Sequence, residues 1–221
     1  MPYRKVIFAD NQYYHIFNRS VGGESIFTSK KTLARSIDLM DFYRFKSQLS
    51  FSKFKVLAEN RKREFMDKLY QTEQLVELLA FSLMPNHFHL LLRQLREKGI
   101  IDYLSNLQNS LAKYVNIKSA RIGSLFCNPF KGVHIQNENL LLHINRYIHL
   151  NHVTSYIIDI NELDNFPWTS FPYYIGAKSG DFVSTDLVLS HFANREKYRE
   201  FVYNQADYQR QLHTIKHLLL E

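Results

Sequence analysis

The sequence predicts an α+β fold, a ferredoxin-like antiparallel sheet with helices on one face, followed by a C-terminal helical segment. Three observations predict it. Elements recur in the order strand, helix, hairpin, helix, strand. Apolar runs flank Pro85-Asn86 on both sides, as the two arms of a hairpin do. The last third, punctuated by Pro167, Pro172 and Gly176, reads as loop and then short helices over 186–190 and 194–205.

The first strand is expected over 11–17, an aromatic and apolar stretch. Leu33, Ile37, Met40, Asp41 and Tyr43 mark an amphipathic helix over 30–45, capped by Ser29 or Thr28. The stretch 53–79 is dense in charge around Arg61-Lys62-Arg63-Glu64 and is expected to be helical or partly irregular, with its charges on a solvated face. After the hairpin come a helix over about 101–118 and a fourth strand near 131–136. Leu140, Leu141, Ile144, Ile148 and Leu150 then recur at helical intervals behind a polar break, with Asn137 or Asn139 as the cap.

Composition bounds the chain further. Its 221 residues are 45% hydrophobic and 14% aromatic, enough for one sizeable core. Lys and Arg number 28 against 21 Asp and Glu, a formal charge of +7 that favours a polyanionic partner such as nucleic acid. The single cysteine, Cys127, excludes an intramolecular disulfide and fits a reducing cytoplasm. No long apolar run or signal-peptide pattern stands at the N-terminus, so no membrane association is expected.

Two motifs carry chemistry. In His87-Phe88-His89 the histidines open the second hairpin strand. Residues i and i+2 of a strand share a face, so both imidazoles project together, an arrangement that suits a divalent metal with open positions. In the later helix Tyr147 and Asn151 lie one turn apart on one face, where a phenol and an amide can act as nucleophile and hard oxygen ligand. Each motif has an ordinary reading beside this one: two surface or hydrogen-bonded histidines, and a half-buried helix rim.

Five landmarks in order join the motifs. Tyr14-His-Ile-Phe-Asn-Arg19, Met84-Pro-Asn-His-Phe-His-Leu-Leu-Leu92, Gly123-Ser-Leu-Phe126, Tyr147-Ile-His-Leu-Asn151 and Phe166-Pro-Trp-Thr-Ser170 resemble those of the HUH single-tyrosine transposases of bacterial insertion sequences, most closely the REP-associated tyrosine transposases. The likeness continues to Tyr198-Arg-Glu-Phe-Val202. It departs at Cys127-Asn128-Pro129, where the family often has a Gln-Gly-Arg-type stretch, and at His152, where proline is common.

The resemblance implies that His87, His89 and Asn151 ligate Mg2+ or Mn2+ and that Tyr147 is the nucleophile. Residues 1–160 would form the catalytic domain and 161–221 a helical extension packed on it. The implied activity is nicking and rejoining of hairpin-bearing single-stranded DNA through a 5′-phosphotyrosine. Arg19, Lys131 and Arg146 are the basic residues expected to meet DNA, while His149 and His152 are expected at the surface. The protein is expected in the cytoplasm, on the nucleoid when bound to DNA, as monomer or homodimer. The alternative is a domesticated repeat-binding protein of the same fold with little or no turnover. A two-histidine RNA phosphodiesterase needs two His-x-Ser/Thr motifs, and the ten histidines supply no second pair.

Overall fold

The structure is a computed structural model and describes residues 6–205. Its elements run β1 (Tyr13–Arg19), α1 (Lys30–Phe42), α2 (Phe51–Lys55), α3 (Glu59–Leu69), β2 (Val76–Met84), β3 (His87–Gln94), α4 (Gly99–Lys118), β4 (Lys131–Ile135) and α5 (Glu138–Thr154). A 3-10 turn (Ile160–Asn165), α6 (Phe171–Tyr174), α7 (Asp186–Leu189) and α8 (Arg195–Tyr203) complete the series. The four strands form one antiparallel sheet in the order β2-β3-β1-β4. The β2–β3 hairpin sets β3 between β2 and β1, and the crossover through α4 sets β4 on the other side of β1, as in a ferredoxin-like unit.

By compactness the chain divides into two units. One comprises Met1–Glu77, Pro85–His87 and Leu92–His134, the other Leu78–Met84, Phe88–Leu91 and Ile135–Glu221. Residues 161–205 share a unit with α5 and the inner parts of β2 and β3, whereas 1–5 and 206–221 of the two expected domains lie outside the described residues.

In the first unit α1 packs on α4, burying Leu33, Leu39 and Met40 of the one and Leu104, Leu107 and Leu111 of the other. Ser29 caps α1, its hydroxyl accepting the Thr32 amide hydrogen at 3.2 Å. Gly99 opens α4 where a Cβ would lie 2.3 Å from the Leu75 carbonyl oxygen, so no larger residue fits without backbone movement. The charge-dense stretch resolves into α2 and α3, held by a ring cluster in which Phe42 lies 5.2 Å from Phe51, 5.2 Å from Phe54 and 5.9 Å from Phe65. Of α3 only Leu69 is buried, so its charges do form a solvated face. Residues 76–79, expected to be helical or irregular, belong instead to β2. Every β2 residue except Glu77 is buried, so the strand lacks the alternation that would have marked it.

The second unit shows why β2 is apolar along its length. Its outer edge is covered by the Phe166–Ser170 landmark: the Leu83 amide donates to the Trp168 carbonyl at 3.0 Å and the Ser170 amide to the Phe81 carbonyl at 3.0 Å. Ser82 and Thr169 form an antiparallel bridge between these bonds, and the Ser184 amide donates to the Leu78 carbonyl at 2.8 Å. A paired edge needs no charged residues to protect it. No helix among the described residues is long and apolar enough to cross a membrane.

Candidate active site on the histidine strand and the tyrosine helix

In the first unit the Pro85-Asn86 turn is clamped before it delivers His87. The Ile26 and Phe27 amides both donate to the Pro85 carbonyl, at 2.8 and 2.9 Å, and the Ser20 amide donates to the Asn86 carbonyl at 2.8 Å. His87 Nδ1 stands 2.6 Å from the Asn86 carboxamide oxygen. Burial, and secondarily the Arg19 guanidinium, hold the His87 pKa below the ordinary 6.5, so the imidazole is neutral at pH 7 and can act as a ligand. His89 follows two residues later on β3, and the strand pleat directs both imidazoles to the same side of that strand.

In the second unit Asn137 caps α5 by accepting the Leu140 amide hydrogen at 2.9 Å, which sets where the helix begins. Helical phase then stacks Tyr147 and Asn151 on one face. The His89 and Tyr147 rings meet edge to face, centroids 5.5 Å apart and planes at 88°. Tyr147 keeps 39% of its surface in solvent, and burial of the rest raises its pKa above the ordinary 10. Its hydroxyl is protonated at neutral pH and must lose its proton to act as a nucleophile. Asn151 is buried, and its Nδ2 has no hydrogen-bond partner. A buried amide with an unmet polar atom costs free energy unless a further polar group completes it, and turned over it presents its oxygen there.

The register of α5 is set by two histidines that sequence reasoning placed at the surface. Both are buried. His149 Nδ1 lies 2.7 Å from the Tyr198 hydroxyl and Nε2 lies 2.7 Å from the Ser170 hydroxyl. Tyr198 donates to the Asn145 carboxamide oxygen at 2.6 Å, so it accepts from His149 Nδ1–H, which leaves Nε2 to accept from Ser170. The Asn145 amide nitrogen donates to the Tyr174 hydroxyl at 3.0 Å, which donates to the Leu79 carbonyl at 2.9 Å. Burial lowers the His149 pKa to about 3, so the ring stays neutral and does not shuttle protons. His152 donates from Nε2 to the Leu83 carbonyl at 2.9 Å and receives the Ser82 hydroxyl on Nδ1 at 3.2 Å, tying α5 to β2 just before the hairpin turn. A common burial pattern concealed these roles, because a helix face made of His, Asn and Arg reads as polar from sequence alone.

The three basic residues expected to meet DNA differ in setting. Arg19 ends β1 and Lys131 begins β4, both exposed. Arg146 is buried: its guanidinium lies 4.2 Å from the Phe201 ring centroid, Nη1 donates to the Phe201 carbonyl at 3.4 Å and Nη2 to His143 Nδ1 at 2.9 Å. That side chain packs α5 against α8 rather than facing solvent. The Gly123–Phe126 landmark is likewise structural, with Leu125 and Phe126 buried, the Val21 amide donating to the Leu125 carbonyl at 3.0 Å, and Phe126 bridged to Ser20. Asn86, which orients His87, was missed by sequence reasoning although it sits next to that histidine.

Fold and site together define an α+β protein whose histidine strand meets a tyrosine helix. Among solved structures the chain is similar to a REP-associated tyrosine transposase bound to a REP hairpin, with a TM-score of 0.51 and 14% identity, over 83% of this chain and 94% of that one. The chain therefore shares that transposase's fold. No protein-family profile matches it. No curated protein matches it either. Among the described residues no three His, Cys, Asp or Glu side chains gather into a group that could hold a metal ion.

Proposed function

We propose that this protein nicks and rejoins hairpin-bearing single-stranded DNA, with Tyr147 as nucleophile and Mg2+ or Mn2+ held by His87, His89 and Asn151. The observation that carries the reading is the approach of Tyr147 to His89, which brings a phenol to a strand that opens with two imidazoles. The unmet Asn151 amide is the feature that fits a cation, because two imidazoles and an amide oxygen leave several positions open to phosphate and water. When bound, the cation supplies charge neutralisation at the scissile phosphate and favours the deprotonated phenol.

The residues of the chain then divide the work. Tyr147 Oη attacks phosphorus in line, the P–O3′ bond breaks, the phenol proton leaves to solvent and the 3′-oxygen takes one up. The product is a 5′-phosphotyrosine and a free 3′-hydroxyl, and the reverse attack rejoins the strand without ATP. The His149 and His152 bonds hold α5 so that Tyr147 keeps its place, which matters because positioning is a large part of such catalysis.

The test is a suicide hairpin substrate run on denaturing gels, with the DNA-linked peptide mapped by mass spectrometry. Tyr147→Phe is expected to abolish the adduct while hairpin affinity stays within a few-fold, and chelation by EDTA is expected to abolish it in the wild type. Tyr114 is the control, because its ring is stacked under the Arg35 guanidinium at 4.4 Å and Tyr114→Phe keeps that stacking. An adduct that survives Tyr147→Phe overturns the reading. Hairpin binding with no adduct under any metal would identify the domesticated, non-cleaving protein instead.

A further inference from the structure

The turn before the histidine strand is built more tightly than a hairpin needs. Two turn carbonyls, those of Pro85 and Asn86, already accept three backbone hydrogen bonds from the segment 20–27, and one side chain adds two more bonds. The Asn86 amide nitrogen donates to the Gly23 carbonyl at 3.3 Å, and the Asn86 carboxamide oxygen lies 2.6 Å from His87 Nδ1. The first bond decides the second. With Nδ2 committed to a carbonyl, the atom that faces His87 is an oxygen, which can only accept, so Nδ1 carries the hydrogen. A neutral imidazole has one N–H, and Nε2 is then the nitrogen with the lone pair.

Gly23 is part of the same device. Its φ of +71° is a left-handed conformation that L side chains rarely adopt, although a Cβ there would meet only Asn86 Nδ2 at 4.0 Å. Conformation, and not space, is therefore what calls for glycine, and that conformation aims the carbonyl at Asn86.

We propose that Asn86 is a positioning residue: anchored on the Gly23 carbonyl, it fixes His87 as the Nδ1–H tautomer and so makes Nε2 the nitrogen that meets a Lewis-acidic partner. The identity of that partner as a divalent cation rests on the function proposed above. Outer partners of metal-binding histidines fix ring orientation and raise ligand basicity, and their loss typically costs 10- to 100-fold in metal affinity.

Nitrogen NMR of the full chain, metal-free and labelled with 15N-histidine, reads the tautomer directly, with His87 assigned by the signals lost in His87→Gln. At pH 7.5 the wild type is expected to show protonated Nδ1 and bare Nε2. Asn86→Ala is expected to move His87 toward the Nε2–H form and weaken Mn2+ binding, followed by EPR of the free ion, by about 10- to 100-fold. Asn86→Asp keeps an acceptor beside Nδ1 but loses the donor to the Gly23 carbonyl, so it should keep the Nδ1–H tautomer while Mn2+ affinity falls by less than in Asn86→Ala. An Nε2–H tautomer in the wild type overturns the proposal, as does an unchanged tautomer in Asn86→Ala. If Asn86→Ala does not fold, the wild-type spectrum and Asn86→Asp decide the matter. The expected tautomer in a wild type that binds no Mn2+ would support the positioning role and overturn the metal reading alone.

Discussion

The imidazole of His89 and the phenol of Tyr147 are in edge-to-face contact at 5.5 Å, although one lies on a strand and the other on a helix that begins after β4. Each partner is fixed by its own element. His89 is buried within β3, and α5 is pinned to the β2 edge by His149 and His152. The contact therefore depends on bonds made away from it, and several expectations follow from that dependence.

Asn151→Ala should separate stability from activity. Its Nδ2 has no partner, so truncation removes an unmet polar group and should change the unfolding free energy by no more than about 1 kcal/mol. Mn2+-dependent adduct formation should fall by at least tenfold. Urea denaturation and the adduct gel measure the two effects, and a loss of several kcal/mol would make Asn151 a structural amide.

Tyr198→Phe should behave in the opposite way. The hydroxyl serves His149 and Asn145 at once, and removing it strands two buried groups. A loss of about 2 to 4 kcal/mol is expected. Denaturant midpoints at constant slope would show it, while an unchanged midpoint would mean that water or repacking satisfies the network.

Acid should destabilise the fold through two neutral histidines. Burial lowers His15 to about 4 and His149 to about 3, whereas both take up a proton near 6.5 once unfolded. Below pH 6.5 the unfolded chain therefore binds more protons than the folded one, and stability declines as pH falls. Each ring contributes up to about 1.4 kcal/mol per pH unit until its folded pKa is passed. Urea midpoints between pH 7.5 and 4.5 should fall steadily, and a flat profile would contradict the burial of both rings in neutral form.

Basic residues should sort by salt dependence of hairpin binding. If Arg19 and Lys131 meet phosphates, replacing either by Ala should reduce the slope of log affinity against log salt by about 1. Arg146→Ala should leave that slope unchanged and lower stability, because its guanidinium is packed on Phe201. An unaltered slope in the first two variants would remove them from the DNA interface.

Much of the fold was legible because local chemistry and tertiary structure agree. Ser29 and Asn137 are side-chain caps, Pro85-Asn86 is a turn between apolar arms, and the phase of α5 puts Tyr147 over Asn151. Residues 76–79 were misread because β2 is covered on both faces and along one edge, so the alternation used to find strands is absent. His149 and His152 were misread for a related reason, since a polar side chain buried in a satisfied network looks the same in sequence as one in water.

By itself the sequence determined the order of the elements, the turn that opens the histidine strand and the i, i+4 pairing of Tyr147 with Asn151, because these depend on residues close together in the chain. Only the tertiary structure decided that His89 touches Tyr147, that Asn86 fixes the His87 tautomer through Gly23, and that Arg146 is withdrawn from solvent. Those outcomes depend on which distant groups supply each buried donor and acceptor with a partner, and no local pattern encodes that pairing.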